Sequence, residues 1–83
     1  MKVEWTKKAR KQLAKLGNPV VAQKIYAAVT AFSNGEAVDI KPLTAHQYTH
    51  RIRVGNHRIL MTIADEIQIS WIEEVKKRDE RTY

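Results

Sequence analysis

Apolar residues recur at every second position in several stretches of the second half of the chain, which is the spacing of half-buried β-strands. One such stretch spans residues 52–54, a second spans 59–63 and a third spans 67–71. Gly55 and Asn56 separate the first two stretches, and this dipeptide is a favourable two-residue hairpin turn. The pattern therefore predicts three consecutive antiparallel strands.

Residues 1–5 also alternate, with apolar side chains at the odd positions, so we expect a short strand at the N-terminus. Thr6 follows this strand, and its hydroxyl can accept hydrogen bonds from the free N–H groups in the first turn of a helix. Apolar residues then fall on one stripe as far as Gly17, a residue type that ends helices at low cost. The pattern predicts an amphipathic helix after the first strand.

Asn18 followed by Pro19 is typical of the start of a second helix, since asparagine caps free N–H groups and proline lacks one. Apolar residues recur at helical spacing over 21–32, and the Asn-Gly pair at 34–35 indicates the helix end. Residues 36–47 have no clear period and are expected to form a loop. We therefore predict an α+β fold of order β-α-α-β-β-β, in which a two-helix hairpin packs on one face of a small antiparallel sheet and leaves the other face open.

Strand parity predicts a group of arginines on the open face of the sheet. Successive side chains on a strand point to opposite faces, so Arg51, Arg53 and Arg58 should point away from a core that contains Ile52 and Ile59. Like charges on neighbouring strands cost stability, and the sequence offers no evident carboxylate partner. The arrangement favours a ligand that supplies negative charge, although a solvated basic sheet face would give the same pattern.

The three histidines are candidates for proton transfer because imidazole titrates near neutral pH. Parity places His50 and His57 on the helix-covered side near the ends of their strands, which favours a structural role. His46 lies in the predicted loop and could reach the open face, so it remains a candidate catalytic residue. Trp5 and Trp71 are expected to point into the core by the same parity.

Composition agrees with one small basic domain. The chain has 83 residues, which suffice for a single domain over 1–83 with a small core. Fifteen Lys and Arg against nine Asp and Glu give a formal net charge of +6, which favours nucleic acid or an acidic protein as the partner. The absence of cysteine excludes disulfides and thiolate metal sites. No apolar run is long enough for a membrane span or a signal peptide, so we expect a cytoplasmic protein without a membrane partner.

Several segments, in their order along the chain, resemble the RelE/ParE superfamily of bacterial toxins, and in particular its RelE-like mRNA-cleaving branch. The resemblance covers essentially the whole chain and is carried by VEWTKKARKQLAKL, KPL, RIRVGNHRI and KKRDERTY. It implies the RelE-like, microbial ribonuclease-like fold and the toxin of a type II toxin-antitoxin system. Such a toxin is an endoribonuclease that cuts mRNA in the ribosomal A site and leaves a cyclic phosphate. The resemblance further implies no metal or cofactor, and as partners a cognate antitoxin and the ribosome with bound mRNA.

The same resemblance implies a catalytic set, position by position. Arg51 and Arg53 stand where the family commonly has lysines, and Arg58 matches its arginine after the hairpin turn. Arg78 and Tyr83 match the arginine and tyrosine of the C-terminal segment, with a spacing one residue shorter than in the best-known member. Other basic residues of this segment are expected to bind RNA, and the last of them competes for the arginine role: Lys76, Lys77 and Arg81.

The residue types suit phosphate chemistry without settling each role. The planar guanidinium fork binds two phosphoryl oxygens at once, but a group with a pKa above about 12 is a poor general base. Tyr83 could transfer a proton or stack on a base. Two further function classes stay open, a ParE-like toxin that inhibits DNA gyrase and a catalytically inert basic module that binds RNA or protein. The clustered arginines and the C-terminal tyrosine favour the ribonuclease.

Overall fold

The computed structural model describes residues 1–77 and consists of a five-stranded sheet with two helices packed on one face. In chain order the elements are β1 (Lys2–Trp5), α1 (Lys7–Lys15), α2 (Pro19–Ser33), β2 (Ile40–Pro42), β3 (His50–Val54), β4 (His57–Ala64) and β5 (Ile69–Lys77). A single 3-10 turn, Asp65–Ile67, joins β4 to β5. Within the described residues, no helix has both the length and the apolar character needed to span a membrane.

The predicted α+β class is confirmed, but the sheet differs from the expected one in two respects. Its order is β1-β5-β4-β3-β2, and β1 runs parallel to β5 while the other neighbours are antiparallel, so the sheet is mixed. β2 is an additional short strand inside the predicted loop. Pro42 is tolerated there because an edge strand has a row of N–H groups that need no partner in the sheet.

Both helices begin where the sequence predicts. Thr6 Oγ1 accepts a hydrogen bond from a first-turn N–H group of α1 at 3.1 Å. Asn18 Oδ1 accepts two such bonds at the start of α2, at 3.1 and 3.2 Å. Gly17, in the connection between the helices, has a φ of +67°, a conformation that favours glycine. Local capping thus fixes the helix hairpin that covers one face of the sheet.

The core lies between the helices and the sheet. Ile52 and Ile59 are fully buried there, as strand parity predicts, so the side chains beside them in sequence point to the face without helices. The buried residues that form this cluster are Ala9, Ile25, Val29, Ile52, Ile59, Met61, Ile72 and Val75.

A β-bulge in β5 changes which of its side chains face the helices. Leu60 pairs with Glu74, whereas the next residue of β4, Met61, pairs with Ile72. Glu73 is therefore an extra residue opposite this step, and strand parity shifts by one position across it. As a result, two consecutive glutamates separate the core positions on either side of the bulge.

The prediction that Trp71 points into the core is wrong, and the apolar residues that alternate with it, Ile67 and Ile69, do not occupy core positions either. Ser70 and Ile72 are both fully buried and occupy the core positions, so the side chains that alternate with them point to the other face. Ile67 lies in the turn before β5 and is 59% exposed. The parity was misread because a small polar residue at a core position leaves no apolar signal in the sequence.

Candidate nucleic-acid interface

Five cations lie side by side on the helix-free face of the sheet, across strands β2 to β5. Lys41 pairs with Arg51 in the ladder between β2 and β3. Arg53 pairs with Arg58 across the β3–β4 hairpin, and Arg58 in turn pairs with Lys76 of β5. We call the surface formed by these five side chains the basic face. The three arginines that parity predicted to lie together do share it.

The β3–β4 hairpin holds two of these arginines directly opposite each other. The Arg53 N–H donates to the Asp39 carbonyl oxygen at 2.8 Å on the far side of β3. Arg53 and Arg58 therefore form a non-hydrogen-bonded pair, the type in which opposite side chains lie closest. Gly55 supplies the positive φ of the turn, +56°, as in a type II′ hairpin. Two guanidinium groups at this spacing repel each other, and a bound anion would relieve that repulsion.

Arg51 has a carboxylate partner, contrary to the expectation that none exists. Its Nη1 lies 3.3 Å from Asp39 Oδ1, with the arginine side chain 18% exposed and the aspartate side chain 61% exposed. Ion pairs that water can reach contribute only about 0–1 kcal/mol, so a phosphate could replace the aspartate at little cost. The sequence did not reveal this pair because Asp39 belongs to the segment predicted as a loop without a defined path.

A groove of about 390 Å³ runs along the basic face. Its cationic lining comprises Lys41, Arg51, Arg53 and Arg58, and the segment that follows β2 contributes Pro42, Leu43 and Thr44. Cations beside apolar and hydroxyl groups suit a ligand that carries both a phosphate and a less polar part, such as a nucleotide unit.

A second polar cluster, centred on Glu74, borders the basic face and was not predicted. The Glu74 side chain is 8% exposed, and its Oε2 accepts a hydrogen bond from the Tyr48 hydroxyl at 2.7 Å. Its Oε1 lies 3.2 Å from Lys8 Nζ, 3.4 Å from Gln12 Nε2 and 3.8 Å from Lys76 Nζ. This one carboxylate thus joins α1, β5 and the segment before β3.

The environment of Glu74 keeps it ionised and its partner protonated. Burial raises the pKa of Glu74, but hydrogen bonds from Tyr48, Lys8 and Gln12 and the charge of Lys76 outweigh it and leave the pKa below its usual value. The hydrogen bond to Glu74, with burial and the negative charges nearby, raises the pKa of Tyr48 to about 12. At neutral pH the tyrosine therefore acts as the donor and the carboxylate as the acceptor.

Helix α1 reaches the helix-free face because it flanks the edge of β5 beyond the end of β1. The Thr6 N–H donates to the Ile72 carbonyl oxygen at 3.0 Å, and the Gln12 side chain accepts from the Val75 N–H at 2.7 Å. These bonds take the place of a neighbouring strand. Lys8 of this helix contacts Glu74 through its exposed side chain. The second face is hence open only in part.

Of the three histidines, His57 lines the basic groove and the other two do not. His50 and His57 are half-buried and pair with the core-facing residues Met61 and Val54, as parity predicts, although His57 also lines the groove. His46 is exposed, its Nδ1 accepts from the Tyr48 N–H at 3.0 Å, and it does not line the groove.

The C-terminal candidates are described only in part. Lys76 and Lys77 are exposed at the end of β5, opposite Arg58 and His57. Across residues 1–77, no cluster of three His, Asp or Glu side chains is arranged to hold a metal ion. The remaining predicted site residues, which lie outside the described part of the chain, are Arg78, Arg81 and Tyr83.

An apolar groove of about 640 Å³ lies between α1 and α2. Trp5 packs against the core, as predicted, and also lines this groove, where its ring stacks on Tyr26 with centroids 6.1 Å apart. Leu13 and Ala22 add apolar lining, while Tyr26 is 59% exposed. Exposed apolar surface of this kind is typical of protein-binding sites.

Known proteins resemble this chain over nearly its whole length. A family model described as the ParE toxin of the type II toxin-antitoxin system, parDE, matches residues 3–82. A chain of the toxin-antitoxin complex RelBE2 from Mycobacterium tuberculosis is 32% identical, with 93% of this chain and 96% of that chain covered and a TM-score of 0.65. No curated protein was found to match.

Two archaeal structures share the fold at lower identity. The RelB-RelE antitoxin-toxin complex from Methanococcus jannaschii gives a TM-score of 0.71 at 20% identity, covering 88% of this chain and 87% of that chain. The RelE-RelB complex from Pyrococcus horikoshii gives 0.72 at 18% identity, covering 95% of this chain and 96% of that chain. Two helices on a five-stranded mixed sheet are thus a fold found in toxin-antitoxin complexes.

Proposed function

This chain belongs to the RelE/ParE family of toxins of type II toxin-antitoxin systems, and from that premise we propose that it is a ribosome-dependent endoribonuclease that acts in the cytoplasm. The observation that carries the proposal is the basic groove, in which Arg53 and Arg58 are paired beside Arg51. Three guanidinium groups that line one groove suit a phosphodiester, because the planar guanidinium fork binds phosphoryl oxygens.

The proposed reaction is attack by a ribose 2′-oxygen on the neighbouring phosphorus of mRNA in the ribosomal A site. The 2′-hydroxyl loses its proton, the new P–O bond forms, the bond to the 5′-oxygen breaks, and that oxygen takes up a proton. Products are a cyclic phosphate and a free 5′-hydroxyl. Arg51, Arg53 and Arg58 stabilise the negative charge that develops on the phosphoryl oxygens, which is the role best suited to groups that do not release protons.

The C-terminal segment completes the proposed site. Arg78 or Arg81 would add charge stabilisation, and Tyr83 would transfer a proton or stack on a base. Lys76 on the basic face and Lys77 beside it at the end of β5 are both exposed and would bind the RNA backbone. The proposed reaction needs no metal ion, because guanidinium groups supply the charge stabilisation.

A cognate antitoxin is the second proposed partner, since three of the structural relatives come from toxin-antitoxin complexes. The apolar groove between α1 and α2 would accept the apolar face of an amphipathic antitoxin helix. An acidic or extended segment of the antitoxin could reach the basic face. Burial of Trp5 and Tyr26 would then dominate the affinity, because aromatic side chains in well-packed contacts contribute most to interfaces.

Inhibition of DNA gyrase is the alternative function, and the ParE description of the matching family model favours it. A gyrase inhibitor acts through protein contact and does not require clustered arginines on a groove of nucleotide size. The gyrase alternative therefore gives no role to the pairing of Arg53 with Arg58 in the basic groove.

Cleavage of mRNA on programmed ribosomes tests the proposal. Arg58→Ala should reduce cleavage at least about a hundredfold, the size of effect seen when a charge-stabilising donor is removed from an active site. Lys24→Ala is the matched control, because it removes one exposed cation from α2. Full cleavage by Arg58→Ala, with the control also active, would contradict the assignment.

A further inference from the structure

The segment 43–49, which we call the crossing loop, is fastened to the sheet near the start of β3. The Leu43 N–H donates to the Thr49 carbonyl oxygen at 2.8 Å and closes the base of the loop. The Thr49 N–H donates to the Met61 carbonyl oxygen at 3.1 Å, and the Thr49 hydroxyl accepts from the Ile63 N–H at 2.8 Å. These bonds fix the base of the loop, but none of them holds its tip.

The tip of the crossing loop is under strain. Ala45 has a φ of +50°, in the left-handed region that costs roughly 1–2 kcal/mol for a residue with a side chain. Such a conformation persists only where the surroundings impose it. A contact beyond the base must therefore hold the loop in place.

Tyr48 provides that contact, because its hydroxyl donates to Glu74 at 2.7 Å across 26 positions of the chain. Glu74 is itself fixed from the opposite side by Lys8 and Gln12 of α1. An acceptor fixed by another element can restrain the loop, whereas a freely rotating carboxylate could not. The bond thus transmits the position of α1 to the crossing loop.

The crossing loop also forms part of the basic groove, since Leu43 and Thr44 line it. From this geometry we infer that the Tyr48–Glu74 hydrogen bond is a clasp that positions the crossing loop as a wall of the groove, which makes both residues positioning residues for bound RNA. This inference rests on the proposed function. It gives a role to Glu74, which among residues 1–77 is the one nearly buried carboxylate.

Proton transfer is the other role that a tyrosine and a glutamate could have here, and the environment disfavours it. Glu74 accepts from Tyr48, Lys8 and Gln12, and its pKa is lowered, which makes it a weak base. A hydroxyl whose pKa is raised to about 12 releases its proton reluctantly. Both groups are suited to holding a fixed geometry.

Tyr48→Phe removes the clasp hydroxyl and keeps the ring. Thr62→Val is the matched control, because it removes a hydroxyl that donates to the neighbouring Glu73 at 2.8 Å and does not line the groove. We expect Tyr48→Phe to lower the maximal rate of mRNA cleavage on ribosomes about tenfold, since misplacement by about 1 Å can cost up to a hundredfold. The toxin concentration that gives half the maximal rate should not change, because the other contacts with the ribosome remain. Amide exchange at Leu43 should become faster in Tyr48→Phe alone.

A double-mutant cycle with Glu74→Leu tests whether the two residues act together, because leucine offers no acceptor to the Tyr48 hydroxyl. If they form one clasp, the rate of the double variant should fall no further than that of the slower single variant. Additive losses, or an unchanged Leu43 exchange rate in Tyr48→Phe, would overturn the clasp. A wild-type rate in Tyr48→Phe beside an inactive Arg53→Ala would overturn it and leave the proposed function intact. Failure of the wild-type protein to cleave would refute the proposed function, and the exchange measurement would then decide on the clasp alone.

Discussion

The two faces of this sheet are built from the same strands but are stabilised in different ways. On the helix-covered face, Ile52 and Ile59 are fully buried against the helices, and stability comes from apolar burial. On the helix-free face, Arg53 lies opposite Arg58, while Glu74 is held by partners from three elements. The first face therefore supports the fold, whereas the second concentrates unlike and like charges at some cost to it.

The largest expected difference between the faces is in stability. Ile52→Ala should lower the free energy of unfolding by about 2–5 kcal/mol, because it leaves a cavity in the core. Arg53→Ala should change it by less than about 0.5 kcal/mol, and any change should be a gain because a like-charge neighbour is removed. Urea denaturation of both variants measures the difference. Equal destabilisation by the two would show that the basic face is a structural element.

An effect of similar size to the loss of stability in Ile52→Ala is expected for antitoxin binding. This binding should depend on the apolar groove between the helices and not on the basic groove. Tyr26→Ala should weaken the complex by about 2 kcal/mol, since an exposed aromatic side chain that lines an apolar groove is a typical hot spot. Arg53→Ala should have a much smaller effect, and the complex should survive moderate salt because apolar burial is not screened. Calorimetric titration at two salt concentrations measures both; dissociation at modest ionic strength would contradict this account.

A smaller effect on the free energy of unfolding is expected from substitution of Glu74, the nearly buried carboxylate on the helix-free face. The folded-state pKa of Glu74 is lowered, so its stabilisation is present above its ordinary pKa and is lost as the pH falls through the folded value. Glu74→Gln should cost about 1–2 kcal/mol at pH 7, toward the lower end of the contribution of hydrogen bonds to charged groups, because the amide oxygen can still accept a hydrogen bond. The difference in stability between wild type and variant should become smaller under acidic conditions. Denaturation at several pH values measures this difference, with Glu66→Gln as an exposed control. A difference that stays constant with pH would contradict the ionic role.

The smallest effect on stability is expected at the C-terminus. Lys76 and Lys77 pair with β4, so the deletion that tests this segment should end the chain after Lys77 and keep the strand whole. Removal of 78–83 should change the free energy of unfolding by less than about 0.5 kcal/mol but abolish cleavage. Circular dichroism and the ribosome assay measure the two quantities. Unaltered cleavage by the folded truncated chain would remove this segment from the proposed site.

Substitutions at Tyr83 distinguish the two roles proposed for its side chain, base stacking and proton transfer. A rate that falls little in Tyr83→Phe but greatly in Tyr83→Ala would assign base stacking, because phenylalanine keeps the ring. An equal fall in both variants would assign proton transfer or an essential hydroxyl hydrogen bond. Single-turnover cleavage rates distinguish the two results.

The sequence predicted what local interactions decide. Thr6 and Asn18 cap helices through bonds to their own first turns, and Gly55 sets the hairpin register that places Arg53 opposite Arg58. These features need only neighbouring residues, so periodicity and turn chemistry reveal them. The same local logic predicted the fold class and the shared face of the arginines.

What the sequence did not reveal depends on residues far apart in the chain. The bulge at Glu73 forms where α1 replaces β1 beside β5. Two consecutive glutamates are the only local feature of the sequence at this position, and they do not by themselves predict a bulge. Tyr48 and Glu74 are joined across 26 positions, and the partner of Arg51, Asp39, lies beside an unexpected strand. The contacts at the border of the candidate site therefore depend on the tertiary fold, whereas the placement of its arginines follows from strand parity.

The central claim is that the paired arginines act on RNA, and a side-by-side assay of the purified protein tests it most directly. Wild-type protein, Arg53→Ala and Lys24→Ala would each be incubated with mRNA-programmed ribosomes and, separately, with DNA gyrase and relaxed plasmid. We expect the wild type and Lys24→Ala to cleave mRNA in the A site, Arg53→Ala to cleave at least about a hundredfold more slowly, and none to affect supercoiling. Intact mRNA together with inhibited supercoiling by the wild type, or full cleavage by Arg53→Ala, would contradict the claim.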